Sequence, residues 1–67
     1  MSNERFLRRR EVERMVSLSR STIYAHIAKG TFPIPRRIGK NAVAFLSSEI
    51  IEWMDGRPLA TSNSEVE

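Results

Sequence analysis

The fold is decided by residues 18–30, which read LSRSTIYAHIAKG. Ser19 precedes a run that suits a helix, and its hydroxyl can accept a hydrogen bond from a free backbone N–H of the first turn. Leu18 and Ile23 have the spacing of a hydrophobic staple around that position. Ile27 follows Ile23 by four residues, so both side chains lie on one helix face. These residues predict a short helix that begins after Ser19 and buries one apolar face.

The opposite face of this helix is small and polar, and Gly30 supplies the left-handed residue that commonly ends a helix. Small side chains let a helix backbone approach another surface closely. Arginine, serine, tyrosine and lysine bind base edges and phosphates, so the face is typical of a recognition helix in the major groove of DNA. The predicted DNA-binding residues of this helix are Arg20, Ser21, Thr22, Tyr24 and Lys29.

Three of these side chains have two interpretations. Tyr24 either contacts DNA or packs beside Ile27 and Phe32 in the core. Thr22 either belongs to the helix start or reads a base. Lys29 either contacts a phosphate or offsets the negative end of the helix dipole.

Length and composition restrict the class of protein. The chain has 67 residues, enough for one small domain, and no cysteine, which excludes disulfides and thiolate metal sites. All 11 basic residues and six of the eight acidic residues lie in residues 1–57, so that part carries a net charge of +5. Such basicity favours a nucleic-acid partner. The longest apolar run, Ala42–Leu46, is too short to span a membrane, so a cytoplasmic protein is expected.

A first helix precedes the recognition helix. Val12, Met15 and Val16 recur at the i, i+3, i+4 spacing of one helical stripe, which predicts a helix over residues 9–16. Ser17 and the next residue leave room only for a tight connection. Two short helices joined in this way form a helix-turn-helix, in which the first helix supports the second.

The residues before the first helix divide into three parts. Residues 1–5 are polar and predicted to be flexible. Phe6 and Leu7 are expected to pin the chain onto the core. Residues 8–10 are all arginine, and cations near a helix start are mildly unfavourable, which favours a role outside folding. Arg8, Arg9 and Arg10 could all contact phosphates near the first helix, and Arg9 is the one that we assign to DNA binding; the alternative is a solvated helix start.

A hairpin is predicted after the recognition helix, where two prolines prevent further helix. Residues 36–38 and 42–45 have the composition of strands and enclose a three-residue turn. Val43 and Phe45 alternate onto one face, and Ile38 is expected to face the core with them.

The hairpin has the charge pattern of a wing, the β-hairpin that reaches DNA phosphates or the minor groove beside a recognition helix. Its predicted DNA-binding residues are Arg37, on a strand, and Lys40 and Asn41, in the turn. A merely solvated hairpin tip is the alternative.

A third helix follows the hairpin. Ser47 or Ser48 is expected to cap its start, and Ile50, Trp53 and Met54 form its apolar stripe. Trp53, the largest side chain of the stripe, is expected to close the core.

The predicted fold class is therefore mainly α-helical with a small β-hairpin, arranged as a winged helix-turn-helix. Residues 1–5 form the flexible N-terminus, residues 6–57 the DNA-binding domain, and residues 58–67 a disordered polar tail with few apolar anchors.

A family pattern links four segments: residues 18–24, 30–33, 42–45 and 48–53. Over about residues 5–56 the chain resembles the AlpA family of phage and prophage regulators, which are similar to MerR-type and excisionase winged helix-turn-helix domains. Three positions depart from the family. Ala25 stands where a basic residue is frequent, Phe45 where tryptophan is common, and Arg36 where an aliphatic residue is usual.

The resemblance implies a sequence-specific DNA-binding transcriptional regulator linked to expression of a prophage integrase and to excision of the element. Double-stranded DNA is the expected partner, with integrase or RNA polymerase as candidate protein partners. Two alternatives stay open: an excisionase that bends attachment-site DNA, and a protein-binding adaptor without DNA affinity.

Other classes are disfavoured by what the sequence lacks. It has no nucleophile with a matching base and no glycine-rich phosphate loop after a strand, so we expect neither an enzyme nor a cofactor or metal site. No transmembrane segment or dimerisation helix is evident. A module this small is expected to be a monomer that binds tandem DNA sites cooperatively.

Overall fold

The computed structural model of the chain describes residues 4–60 and contains three helices and three strands. The strands form one antiparallel sheet in the order β1-β3-β2. The architecture is therefore mixed α/β, with more sheet than the predicted hairpin. In chain order the elements are β1 (Phe6–Leu7), α1 (Arg9–Val16), α2 (Arg20–Lys29), β2 (Arg36–Gly39), β3 (Ala42–Leu46) and α3 (Ser47–Asp55).

The ends of α2 are set by the residues that the sequence indicated. The Ser19 hydroxyl accepts a hydrogen bond from the Thr22 N–H at 3.3 Å. Gly30 adopts the left-handed conformation, with φ of 79°, and its N–H donates to the Ile27 carbonyl. Leu18 packs against the core that contains Ile23, as a staple requires. The predicted bounds of α2 are confirmed.

The turn before α2 is as tight as predicted. Helix α1 ends at Val16. Its C-cap residue, Ser17, has a left-handed φ of 60°, and the Ser17 N–H donates to the Glu13 carbonyl at 2.9 Å. This single left-handed residue reverses the chain so that α1 packs on α2. Val12 of α1 is fully buried and packs in the core.

Strand β1 is the element that the sequence prediction missed. Phe6 and Leu7 do not merely rest on the core: they pair with Leu46 and Phe45 of β3. Leu7 and Phe45 lie opposite each other and are both buried. β3 is therefore the central strand of the sheet.

The register of the hairpin contradicts the predicted side-chain alternation. Arg37 pairs with Val43, but the next pair joins Gly39 to Ala42, so Ile38 is an extra residue in β2. Such a bulge breaks the two-residue period. The expectation that Ile38 and Val43 face the core is wrong, because each keeps 40% of its surface exposed.

The start of α3 is also different from the prediction. Neither Ser47 nor Ser48 caps it: the N-cap residue is Leu46, and no side chain caps the helix. Ser47 is the first helical residue and is buried. Its hydroxyl accepts a hydrogen bond from the Arg5 N–H at 2.9 Å, and its own N–H donates to the Arg5 carbonyl at 2.8 Å.

The core lies between the sheet and the three helices. Trp53 only borders it, half-buried, with its ring 4.7 Å from the Phe32 ring and its indole N–H donating to the Thr31 carbonyl at 2.8 Å. Met54 is exposed, so the predicted stripe of α3 reduces to Ile50 and part of Trp53. The buried cluster consists of Leu7, Val12, Ile23, Phe32, Phe45 and Ile50.

Two further points concern residues 4–60 alone. No helix in this range has the length and apolar character needed to cross a membrane. No group of three histidine, cysteine or acidic side chains is placed to hold a metal ion. The outermost parts of the predicted flexible N-terminus and polar tail, residues 1–3 and 61–67, lie outside the described residues.

Candidate nucleic-acid interface

The first turn of α2 presents two exposed side chains, Arg20 and Ser21. Neither has a hydrogen-bond or ion-pair partner within residues 4–60. Thr22 differs, because its hydroxyl accepts a hydrogen bond from the Ser19 hydroxyl at 3.0 Å and its N–H is capped. The geometry therefore favours the helix-start interpretation of Thr22 and leaves Arg20 and Ser21 available to a ligand.

Tyr24 lies at the surface, one turn after Arg20. Its side chain is 39% exposed, and the Arg20 guanidinium carbon is 5.8 Å from the centre of its ring, within cation–π range. The rings that meet Phe32 are those of Phe45 and Trp53. The geometry thus favours the surface interpretation of Tyr24.

A cleft of about 300 Å³ opens beside Tyr24. We call it the arginine cleft, and its lining comes from three elements: the start of α1, the middle of α2 and strand β3. Its apolar part comes from the Tyr24 ring and Val43. The lining residues are Arg8, Arg9, Arg10, Tyr24 and Val43.

The three arginines of the cleft are not equivalent. Arg9, the predicted phosphate contact, forms an ion pair with Glu13 one turn along α1. Arg8 and Arg10 are exposed, and their guanidinium groups have no acidic partner within the described part of the chain. The free positive charge of the cleft therefore belongs to Arg8 and Arg10, which the sequence prediction did not single out.

The hairpin brings Arg37 to the same region. Directly opposite residues of an antiparallel pair share a sheet face, with Cβ atoms about 5 Å apart. Arg37 pairs with Val43 in this way, so it lies on the face that lines the arginine cleft. Its guanidinium donates to the Lys40 carbonyl at 3.3 Å, while Lys40 and Asn41 are exposed in the turn.

Lys29 is not part of this grouping. It is the last residue of α2, nine residues after Arg20, and lies about 13 Å farther along the helix axis. Gly30, which follows it, lines a different surface groove together with α3. The position at the helix end agrees with the dipole interpretation of Lys29.

That second groove, which we call the tryptophan groove, has a volume of about 460 Å³ and an acidic, aromatic lining. The Glu49 carboxylate in this groove accepts a hydrogen bond from the Arg36 guanidinium at 2.6 Å. Arg57 stacks on the Trp53 ring, with its guanidinium carbon 4.2 Å from the ring centre. The groove is lined by Gly30, Thr31, Phe32, Pro33, Glu49, Glu52 and Trp53.

The residues that form α1, α2 and the hairpin fall within a sequence match to a known protein family. The family model described as prophage CP4-57 regulatory protein (AlpA) matches residues 5–58. The chain belongs to the AlpA family. The resemblance found in the sequence is thus confirmed, and the family is one of regulatory rather than catalytic proteins.

One relative gives the scale of this similarity. The uncharacterized protein ORF88 of Enterobacteria phage P4 is 51% identical over 57 residues, which is 85% of this chain. The match spans 65% of that relative's own length. No solved structure matches the chain significantly.

Proposed function

We propose that this AlpA-family chain is a sequence-specific DNA-binding transcriptional regulator of prophage or mobile-element genes, with integrase expression and excision as its targets. In the proposed winged helix-turn-helix arrangement, α2 enters the major groove and the β2–β3 hairpin contacts the adjacent backbone. The observation that carries the proposal is the meeting of α2, the start of α1 and the hairpin around one basic cleft. Membership of a phage regulatory family supports it.

The proposed roles follow from side-chain chemistry and exposure. Arg20 reads a guanine through a bidentate pair, and Ser21 contacts a neighbouring base edge. Arg37, Lys40 and Asn41 contact phosphates and sugars, which position the domain without reading sequence. Thr22 and Tyr24 line the approach of the helix, and Lys29 stabilises its end. Arg9 lies beside the DNA backbone, but its charge is offset by its ion pair with Glu13.

The proposal has consequences for partners and location. One module of this size buries only about 600–1,000 Å² on DNA, so useful affinity requires neighbouring copies on tandem sites or a protein partner such as integrase or RNA polymerase. We expect a monomer in free solution, which sedimentation velocity measures. Because bacterial and phage DNA lie in the cytoplasm, the proposed function places the protein there.

The test is binding to labelled duplex, measured by fluorescence anisotropy at several salt concentrations, with footprinting on DNA from the element that encodes the chain. About five phosphate contacts predict a slope of log affinity against log salt near −4.5. A protected site in that DNA, together with this slope, supports the proposal. Absence of salt-dependent binding to any duplex would instead support a protein-binding adaptor.

A further inference from the structure

We propose that the arginine cleft holds a single phosphate of the DNA backbone, with Arg8 and Arg10 as its cationic ligands and the adjoining deoxyribose packed on Tyr24 and Val43. This inference rests on the proposed function and adds a binding site to it. Of the three arginines that could contact phosphates on the evidence of the sequence, it selects Arg8 and Arg10 in place of the assigned Arg9.

Charge is the first argument. Three consecutive arginines line the cleft, yet Arg9 is neutralised by Glu13 and the other two are not paired within residues 4–60. Both of these guanidinium groups line the same cleft, and an anion bound there would offset their like charges. Phosphate suits them because each of its oxygens accepts charge-assisted hydrogen bonds and guanidinium binds it in a bidentate manner.

The apolar lining is the second argument. Val43 in β3 is 40% exposed and Tyr24 in α2 is 39% exposed, so both present apolar surface to the cleft. The bulge at Ile38 sets the register in which Val43 pairs with Arg37 and not with Ile38. A sugar-phosphate unit has one anionic and one largely apolar part, and the cleft offers a matching surface to each.

The position of Tyr24 is the third argument. Its ring centre lies 5.8 Å from the Arg20 guanidinium carbon, and Tyr24 also lines the arginine cleft. Its hydroxyl can donate a hydrogen bond to a phosphate oxygen. A phosphate held in the cleft would therefore be fixed relative to the first turn of α2, and so would set the depth and register at which Arg20 meets the bases.

The principal experiment compares the wild type with Arg8→Ala, Arg10→Ala and the double variant, on a mixed-sequence duplex. Loss of the one phosphate contact that the two arginines share reduces the steepness of the salt dependence by about 0.9. The double variant therefore loses about 3.5-fold more affinity at about 50 mM salt than at about 200 mM. Arg14→Ala is the matched control, because this exposed arginine lies one turn farther along α1 and does not line the cleft. It should keep the wild-type slope.

A second experiment locates the contact on the DNA. Single methylphosphonate substitutions are placed along the footprinted site, each removing one backbone charge. One position should reduce wild-type affinity at least about tenfold and have no effect on the double variant, since hydrogen bonds to charged groups contribute that much. Tyr24→Phe should weaken binding to the unmodified duplex, should lose less affinity than the wild type when that phosphate is replaced, and should keep the wild-type salt slope.

Two outcomes separate this inference from the proposed function. If the double variant keeps the wild-type slope and affinity while Arg20→Ala weakens specific binding, the cleft does not hold a phosphate and the proposed function stands. If the wild type itself shows no salt-dependent binding, both fail. Equal loss of slope in Arg14→Ala and in the Arg10→Ala variant would also overturn the inference, because the effect would then be one of overall charge.

Discussion

The arginine cleft and the tryptophan groove are two concave surfaces of the same small domain, and they differ in how far their polar side chains are bonded within the protein. In the tryptophan groove, Glu49 binds Arg36, and Trp53 donates to Thr31 and stacks against Arg57; among the described residues only the Glu52 carboxylate of this lining has no partner. In the arginine cleft, two of the three cations have no partner within residues 4–60. The polar groups of the tryptophan groove are therefore mostly bonded within the domain, whereas most of the charge of the arginine cleft is not.

The largest effect is expected in the tryptophan groove. Trp53→Ala should lower the free energy of unfolding by about 2–3 kcal/mol, because it removes a half-buried ring and its hydrogen bond to the Thr31 carbonyl. Urea unfolding followed by circular dichroism measures this. The folded fraction should bind duplex with unchanged affinity. Weaker binding by fully folded Trp53→Phe would break the comparison, since the groove would then take part in DNA recognition.

The next effect is expected at the other surface. Arg20→Ala should cost about 1–3 kcal/mol of specific binding, the contribution of one bidentate contact to guanine, and leave the unfolding transition in place. Affinity for the footprinted site and for a mixed-sequence duplex are compared by anisotropy. Because Arg20 also lies over Tyr24, Arg20→Lys serves as a second variant that keeps the charge. Full specific affinity in both variants would mean that another element reads the bases.

A smaller effect is expected at the hairpin. Arg37→Ala should weaken binding to specific and mixed-sequence duplexes about equally and reduce the salt slope by about 0.9, the contribution of one phosphate contact. Its stability should be nearly that of the wild type, since its hydrogen bond to Lys40 is exposed. A loss confined to the specific site would assign Arg37 to base recognition instead.

The smallest effect is expected for the ion pair of the tryptophan groove. Glu49→Gln removes the charge that Arg36 binds, and an ion pair with this degree of exposure contributes no more than about 1 kcal/mol. The loss should shrink as salt rises, which unfolding curves at two salt concentrations detect. If the variant instead bound DNA more tightly by over about 1 kcal/mol, we would infer that Arg36 can contact DNA and that its ion pair with Glu49 prevents this in the wild type.

The helices were predictable because their signals are local. The bounds of α1 and α2 follow from apolar spacing, a serine cap and Gly30, all within a few residues of each other. Strand β1 was not predictable in the same way, because two residues show no periodicity and its partner, β3, lies almost 40 residues away. The buried role of Ser47 depends on that same long-range pairing, since its partner Arg5 immediately precedes β1.

In the candidate site, too, residues marked by a local pattern could be predicted and those that depend on distant contacts could not. Arg20, Ser21 and Arg37 could be predicted from the pattern of one helix and one hairpin. The sequence could not tell which members of the run Arg8-Arg9-Arg10 remain free, because that depends on the ion pair with Glu13 and on the neighbouring elements. Alternation also could not show that Val43 would be 40% exposed while Phe45, two residues along the same strand, is buried. The bulge at Ile38 likewise cannot be read from alternation.

Strand β3 passes into α3 without a connecting residue, since the strand ends at Leu46 and the helix begins at Ser47. With β1 on one side and β2 on the other, its backbone is anchored along its length. The base of the hairpin is therefore preorganised by pairing on both sides of β3. A ligand bound beside that base meets an already ordered backbone, so the entropic cost of association falls on a few side chains, at about 0.5–1.5 kcal/mol each.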